Sequence, residues 1–125
     1  AENEGIMSRI HILNSVPTAD LPAIFRQASV FCYPSFYEGF GIPIIEALSS
    51  GIPVIAATGS CLEEAGGADS IYVNPTDDKE LAAAVMKILE NPEMHEKMAQ
   101  SGKEYVKRFE PKALSAEIHK IYESL

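Results

Sequence analysis

Two glutamates stand eight residues apart in the segment SFYEGFGIPIIEAL, which covers residues 35–48. Glu38 falls on a stretch that two glycines interrupt, and Glu46 follows a proline that suits the first turn of a helix. A carboxylate can accept hydrogen bonds from two neighbouring hydroxyls, such as those of a sugar diol. Both glutamates are therefore candidates for binding a ligand that carries several hydroxyl groups.

The residues between the two glutamates suit a phosphate group. Gly39 and Gly41 lack a Cβ atom, so the backbone can approach a ligand closely there. The amides ahead of Pro43 lie near a predicted helix N-terminus, where N–H groups and the helix dipole favour an anion such as a diphosphate. The segment thus predicts a carboxylate for a ribose (Glu46), amides for a diphosphate and a carboxylate for a sugar (Glu38). Such an arrangement fits a nucleotide-sugar.

The alternative interpretation is that both glutamates face solvent, Glu38 on a loop and Glu46 on the surface of a helix. This is the more common situation for two glutamates taken in isolation. The neighbours of Glu46 argue against it because they are apolar: Ile44, Ile45, Ala47 and Leu48.

Strands that alternate with helices are predicted along the chain, which indicates an α/β fold with a parallel sheet and right-handed crossovers. The predicted strands are 9–13, 29–35, 52–57 and 70–75, and the second reads as a central strand because it is apolar on both sides. The predicted helices are 18–28, 43–50, 60–66, 77–91, 92–109 and 111–125. Ligands of such sheets bind beyond the carboxyl ends of the strands. Residues 35–46 occupy that kind of place.

Composition narrows the classes of partner. The 125 residues suit one domain, and a net charge of -8, from 18 acidic and 10 basic residues, argues against nucleic acid. No apolar run approaches the roughly 18 residues of a membrane span, and no signal peptide is visible in AENEGIMSRI. Cys32 and Cys61 are expected to be free thiols in a reducing compartment. His11, His95 and His119 have no metal-binding spacing, so no metal site is expected.

The segment PSFYEGFGIPIIEALSSGIPVIAA resembles the donor site of family 4 retaining glycosyltransferases, which have the GT-B fold. The similarity continues through EEAGGADSIYVNPTDDKELAAAV and covers essentially the whole chain. It implies that residues 1–125 form a single truncated domain, part of a GT-B C-terminal domain. We therefore expect a Rossmann-like parallel sheet of about four strands with flanking helices and a helical C-terminal end.

The resemblance also implies roles for particular residues. Glu46 would bind the nucleotide ribose, and Glu38 would hold the donor hexose and help to stabilise charge during transfer. Val16, in the loop NSVPT, is implied to contact the nucleobase through the main chain. The backbone amides implied to contact the donor phosphates and sugar are those of Gly39, Phe40, Gly41 and Ile42. For Glu63 and Glu64 we favour a solvated or helix-capping pair, with a contact to sugar or phosphate as the alternative.

The implied partners are a nucleoside-diphosphate sugar and an alcohol acceptor, the latter bound by an N-terminal domain outside this sequence. No cofactor and no side-chain nucleophile are needed, since retention in the family is explained by front-face attack assisted by the leaving diphosphate. We expect a cytoplasmic protein that is catalytically silent on its own. A nicotinamide-dependent oxidoreductase is disfavoured because no Gly-x-Gly-x-x-Gly follows a strand. A non-catalytic nucleotide-binding or self-associating module stays open.

The predicted strand at 9–13 poses a pairing problem. In the usual strand order 3-2-1-4-5-6, two further strands would separate it from the strand at 29–35. We expect it to pair with that strand directly or with a second copy of the chain. The apolar residues of the last helix also need another surface, so a homodimer through the strand or this helix is possible: Leu114, Ile118, Ile121 and Leu125.

Overall fold

The computed structural model of the protein describes residues 5–124, and its centre is a parallel sheet of three strands in the order β1-β2-β3. The strands are β1 (Phe31–Tyr33), β2 (Val54–Ala57) and β3 (Ile71–Val73). The helices are α1 (Leu21–Phe25), α2 (Ile42–Ser49), α3 (Leu62–Gly66), α4 (Asp78–Leu89), α5 (Pro92–Tyr105) and α6 (Pro111–Glu123). The predicted α/β class with a parallel sheet is thus confirmed.

Strand β2 lies at the middle of the sheet and is buried on both faces. Val54 packs in the cluster that includes Ile44 of α2 and Leu62 of α3. Its neighbour Ile55 packs in a second cluster, with Ile88 of α4. Successive side chains of a strand point to opposite faces, so one apolar run serves two cores. Helices therefore cover both sides of the sheet.

The predicted strand at 9–13 is wrong. Residues 7–9 form a short 3-10 turn, residues 10–14 form no strand, and Ile12 and Leu13 are 77% and 62% exposed. An apolar run becomes a strand only where a neighbouring strand offers hydrogen bonds and a packed face, and the described chain offers neither here. The predicted pairing with β1 is wrong for the same reason. Self-association through this segment or through α6 stays a prediction.

Strand β1 is at the edge of the sheet, not at its centre as predicted. It pairs with β2 alone among the described residues, with Phe31 opposite Val54. The Cys32 side chain is exposed. The apolar character of this strand on both sides indicates burial but does not supply the second neighbour that would make the strand central.

The helix boundaries agree in part with the predicted ones. Asp77 caps α4, since its carboxylate accepts hydrogen bonds from the amides of Lys79 and Glu80 at 3.0 Å. The predicted helix 18–28 is shorter, with a 3-10 turn over residues 18–20 ahead of α1. Gly102 lies inside α5 and is buried. A Cβ atom there would lie 2.6 Å from Cδ2 of Leu48, so the glycine lets α5 approach α2.

Helix α6 forms as predicted but has no buried residue. Its apolar side chains Leu114, Ile118 and Ile121 are 43%, 54% and 61% exposed. Within residues 5–124, no helix has both the length and the apolar character that crossing a membrane requires.

Candidate functional site

The loops that follow β1 and β2 enclose an open cavity. Parallel strands end at the same edge of a sheet, so these two loops face each other there. The cavity has a volume of about 330 Å³ and is lined by Phe36, Tyr37, Glu38, Gly39, Gly59, Ser60 and Cys61. Two of the residues singled out from the sequence, Glu38 and Gly39, therefore lie on one wall of it.

Two hydroxyl groups hold the Glu38 carboxylate. The Tyr33 hydroxyl donates to Oε1 at 2.7 Å, and the Ser35 hydroxyl donates to the same oxygen at 2.8 Å. The hydrogen bonds from Tyr33 and then Ser35 lower the pKa of Glu38, and the bond to Glu38 raises the pKa of Tyr33 to about 12. Within residues 5–124, Oε2 accepts no hydrogen bond. Glu38 is thus an ionised group with one oxygen free for a ligand.

Tyr33 and Ser35 were not singled out from the sequence. The Tyr33 ring stacks on Phe31 with 5.7 Å between the ring centres, so this residue also has a packing role. The available signal was their spacing, because residues two apart at a strand end share one face. That spacing places both hydroxyls on the face of the sheet over which the loop after β1 folds back, where they meet Glu38.

Gly39 and Gly41 differ in why they are glycines. Gly41 has a φ of +99°, and a Cβ atom there would lie 2.8 Å from Cδ2 of Leu62. Gly39 has no positive φ, and a Cβ atom there would meet nothing within 4 Å. Conformation and packing therefore require glycine at position 41, whereas at position 39 the space beyond the backbone is the cavity itself.

Helix α2 begins directly after this loop, and the amides around its first residue are available. Ile44 donates to the Gly41 carbonyl at 2.9 Å, and Pro43 has no N–H. Four amides donate no hydrogen bond within the part of the chain that is described: Gly39, Phe40, Gly41 and Ile42. Unpaired amides and the positive end of the helix dipole favour an anion at this position.

The side chain of Phe40 has a structural task. Its ring meets the ring of Phe109 edge to face, with 5.6 Å between the centres. Phe109 closes the 3-10 turn Val106–Phe109 that follows α5. The contact anchors the loop to the 3-10 turn after α5, and Phe40 does not line the cavity beside Glu38.

Glu46 lies in a different cavity, between α1, α2 and α5. This second cavity has a volume of about 410 Å³ and is lined by Leu21, Pro22, Phe25, Arg26, Ile45, Glu46, Ser49, Ser50 and Lys103. Glu46 is half-buried there. Val16 is half-buried ahead of α1 and is not among the residues that line either cavity. The structure therefore separates the two glutamates by the start of α2.

The turn after β2 is held by Glu63. Its Oε1 accepts a hydrogen bond from the Thr58 hydroxyl and another from the Gly59 amide, both at 2.8 Å. These bonds, from Gly59 and then Thr58, lower the pKa of Glu63. Glu63 therefore binds the turn that precedes α3 and does not cap the helix, whose N-cap residue is Cys61; both Glu63 and Glu64 are exposed.

One of the two cysteines, Cys61, lines the cavity beside Glu38. Cys32 and Cys61 are free thiols, as predicted, and the Cys61 thiol donates to the Glu38 carbonyl at 3.3 Å. Between residues 5 and 124, no three His, Cys, Asp or Glu side chains converge in a way that could hold a metal ion.

Comparison with known proteins links the chain to sugar-transferring enzymes. Residues 1–105 match the model of a family described as glycosyl transferases group 1. The O-antigen chain mannosyltransferase B of Escherichia coli is 37% identical over 80% of this chain and 26% of its own length. The MMP alpha-(1->4)-mannosyltransferase of Mycolicibacterium hassiacum is 32% identical over 95% of this chain and 30% of its own length. The chain thus spans less than a third of these relatives.

Two solved structures share the fold. The sucrose-phosphate synthase of Thermosynechococcus elongatus matches with a TM-score of 0.85 and 27% identity, over 98% of this chain and 32% of that chain. The C-terminal domain of a glycosyl transferase group 1 family protein from Francisella tularensis matches with a TM-score of 0.76 over 85% of this chain and 56% of that chain. At 24% identity, the second likeness concerns the fold alone. The predicted fold, part of a GT-B C-terminal domain, is confirmed.

Proposed function

The chain belongs to the group 1 glycosyl transferases, and we propose that it forms the donor-binding part of a retaining glycosyltransferase. In this proposal, the enzyme transfers a sugar from a nucleoside-diphosphate sugar to an alcohol acceptor. One observation carries the proposal. An ionised carboxylate, unpaired amides and an open cavity meet at a single loop, residues 38–42.

The cavity beside Glu38 binds the donor sugar. The free Oε2 of Glu38 accepts hydrogen bonds from sugar hydroxyls, while Tyr33 and Ser35 fix the carboxylate through Oε1. Its negative charge also stabilises the positive charge that develops at the anomeric carbon. The open space beside Gly39 supports this assignment, since nothing in the described chain requires glycine there.

The diphosphate binds at the start of α2. The amides of Gly39, Phe40, Gly41 and Ile42 supply the donors, and the helix dipole supplies a favourable potential. The left-handed conformation of Gly41 supports this role because it turns the chain into the helix at a residue without a side chain. The net charge of the protein does not oppose such a local site, since the amides act at contact distance.

The nucleoside binds on the other side of the start of α2. Glu46 accepts hydrogen bonds from the ribose hydroxyls, and the apolar wall of its cavity, including Leu21 and Phe25, suits a planar base. Val16 contributes main-chain contacts to the base. Arg26 and Lys103 line the same cavity and supply positive charge there, with Lys103 beside Gly51 after the end of α2.

The reaction proceeds on one face of the sugar. The bond between the anomeric carbon and the diphosphate oxygen breaks, and its electron pair leaves with the diphosphate. The acceptor oxygen forms its bond to the same face, and its proton passes to the leaving phosphate. A domain outside this chain binds the acceptor, in keeping with the share of its relatives that the chain spans. The chain alone is therefore inactive, because the two substrates must be held together.

The class of donor to test is a hexosyl nucleotide, beginning with a mannosyl donor. Two of the relatives are named mannosyltransferases, and hexose-binding needs only the hydroxyl acceptors that Glu38 offers. We place the protein in the cytoplasm because nucleotide-sugars are made there.

A titration of the chain with UDP, GDP, ADP and GDP-mannose, followed by amide NMR shifts, tests the proposal. We expect shifts centred on residues 39–46 for one of the bases, and their loss in Glu46→Ala. Glu96→Ala is the matched control, since Glu96 is an exposed helical glutamate on α5 that lines neither cavity. Titrations that stay flat to millimolar concentration for all four compounds would contradict the proposal for this chain.

Self-association is a second candidate function. The exposed apolar side chains of α6, including Ile118 and Ile121, favour it because they have no cover within the described residues. Sedimentation of the chain over a range of concentrations distinguishes a monomer from a dimer. A mass that stays monomeric would count against this second candidate.

A further inference from the structure

The wall of the sugar cavity opposite Glu38 is a turn that depends on one carboxylate. The turn comprises Thr58, Gly59 and Ser60, and Gly59 has a φ of +79°. Both hydrogen bonds that Glu63 accepts from this turn end on the same oxygen, at 2.8 Å. The carboxylate thus fixes a hydroxyl and an amide of the turn relative to α3.

Helix α3 also supports the wall that carries Glu38. Leu62, next to Glu63, is fully buried and lies directly under Gly41. Cys61, just ahead of the helix, donates its thiol to the Glu38 carbonyl at 3.3 Å. The start of α3 therefore contacts the wall that carries Glu38 in two places. Leu62 packs against Gly41, and Cys61, just ahead of the helix, binds the Glu38 carbonyl.

We propose that Glu63 is a positioning residue for the sugar half of the donor site. It holds the turn at Gly59 and Ser60 so that the distance across the cavity matches one hexosyl group attached to a nucleoside diphosphate. This inference rests on the proposed function. Glu63 acts mainly on the sugar, because its carboxylate binds the turn at the cavity wall, accepts from no amide at the start of α2 and does not line the Glu46 cavity.

The effect of Glu63 is therefore selective between two ligands of the same base. In Glu63→Ala, the turn loses both acceptor contacts and the cavity wall is no longer fixed. Binding of GDP-mannose weakens about fivefold, as expected for a lost hydrogen-bonded contact, while binding of GDP changes less than about twofold. Glu63→Gln keeps an acceptor oxygen and restores most of the affinity for GDP-mannose.

Amide NMR on the chain tests this inference, with GDP and GDP-mannose as probes and Glu64→Ala as control. Glu64 is the adjacent exposed glutamate, and its side chain makes no hydrogen bond among residues 5–124. Without ligand, Glu63→Ala is expected to shift the amides of the turn and also those of Glu38 and Gly39 across the cavity. Glu64→Ala leaves both groups in place.

The outcomes separate the inference from the function on which it rests. A wild-type chain that binds none of UDP, GDP, ADP and GDP-mannose overturns the proposed function, and the inference with it. If the chain binds UDP or ADP in place of GDP, the two probes are that diphosphate and its hexosyl derivative. A wild-type chain that binds both, with Glu63→Ala weakening both equally or neither, overturns the inference alone. If Glu63→Ala loses the dispersed spectrum of a folded protein, Thr58→Val decides, because it removes one of the two bonds and keeps Glu63. Unchanged selectivity between the probes in Thr58→Val then overturns the inference.

Discussion

Helices α2 and α6 have the same sequence signature and opposite surroundings. Each carries a proline in its first two positions and apolar residues at helical spacing. In α2, the side chains of Ile44, Ala47 and Leu48 are 0%, 0% and 2% exposed, whereas α6 buries none of its residues. The signature therefore predicts that a helix forms, but it does not tell what covers the apolar face. Most of the stability of a helix in a protein comes from that cover.

The largest expected difference between the two helices is in the effect of shortening one isoleucine. Ile44→Ala leaves a cavity in the closed core, so the free energy of unfolding is expected to fall by about 2–5 kcal/mol. Ile118→Ala removes a side chain that is 54% exposed, so its effect is expected to lie within about 0.5 kcal/mol. Urea unfolding of both variants, followed by circular dichroism, measures the difference.

An equal cost for both substitutions would break this comparison. It would mean that the apolar face of α6 is buried in solution. Burial against a second copy of the chain can be recognised in the same experiment. The midpoint of unfolding would then rise with protein concentration, as expected when association stabilises the folded state. A cost that is equal but independent of concentration would place the cover within the chain.

A smaller difference is expected between the two glycines that precede α2. Gly41→Ala forces a side chain into a positive φ and against Leu62, which is expected to cost about 1–3 kcal/mol of stability. Gly39→Ala meets no atom and no conformational restriction, so stability is expected to change by less than about 0.5 kcal/mol. Its added methyl group enters the cavity beside Glu38 instead, so the proposed function predicts weaker binding of GDP-mannose.

The measurement is the same pair of experiments on both variants: urea unfolding for stability and an NMR titration for binding. A Gly39→Ala variant that binds GDP-mannose as tightly as the wild type would show that the open space at this residue does not serve a ligand. A Gly41→Ala variant of unchanged stability would show that the loop can reach the helix by another backbone path.

The sequence predicted the fold where each element has its neighbours within the chain. The apolar run at 52–57 became the central strand β2, because strands lie on both sides of it. The run at 9–13, in which Arg9 and His11 alternate with apolar residues, formed no strand, because no neighbouring strand among residues 5–124 pairs with it. A pattern of residue types indicates that a segment favours a strand. Whether the strand forms depends on a neighbouring strand with which it can pair.

The candidate site was predictable to the extent that it depends on local sequence. The two glycines, the start of α2 and the two glutamates all lie within residues 38–46. Their order along the loop and the helix could therefore be predicted from the sequence. The hydrogen bonds of Tyr33 and Ser35 to Glu38, and of Thr58 to Glu63, were missed because hydroxyl partners depend on how the chain returns. The division of the site into two cavities was not predicted either, because it also depends on how distant segments of the chain pack together.

The smallest expected effect concerns the polar groups that precede the two helices. Ahead of α2, Glu38 accepts two hydrogen bonds, whereas Glu110 ahead of α6 makes no side-chain cap. Tyr33→Phe removes the larger cause of the lowered pKa of Glu38, so that pKa is expected to rise toward the ordinary value of about 4.3. Carbon-13 NMR of the Glu38 carboxyl group during an acid titration measures it, with Tyr122→Phe on exposed α6 as control.

The direction of the accompanying stability change follows from linkage. Because the pKa of Glu38 is lower in the folded state, its ionised form stabilises the fold above the pKa of the unfolded chain. That contribution is lost as the pH falls through the folded pKa. Tyr33→Phe is therefore expected to make the loss of stability in acid less steep, while Tyr122→Phe leaves it unchanged. A wild-type pKa that does not move in Tyr33→Phe would mean that Ser35 alone lowers the pKa of Glu38, and Ser35→Ala would then have to produce the whole shift.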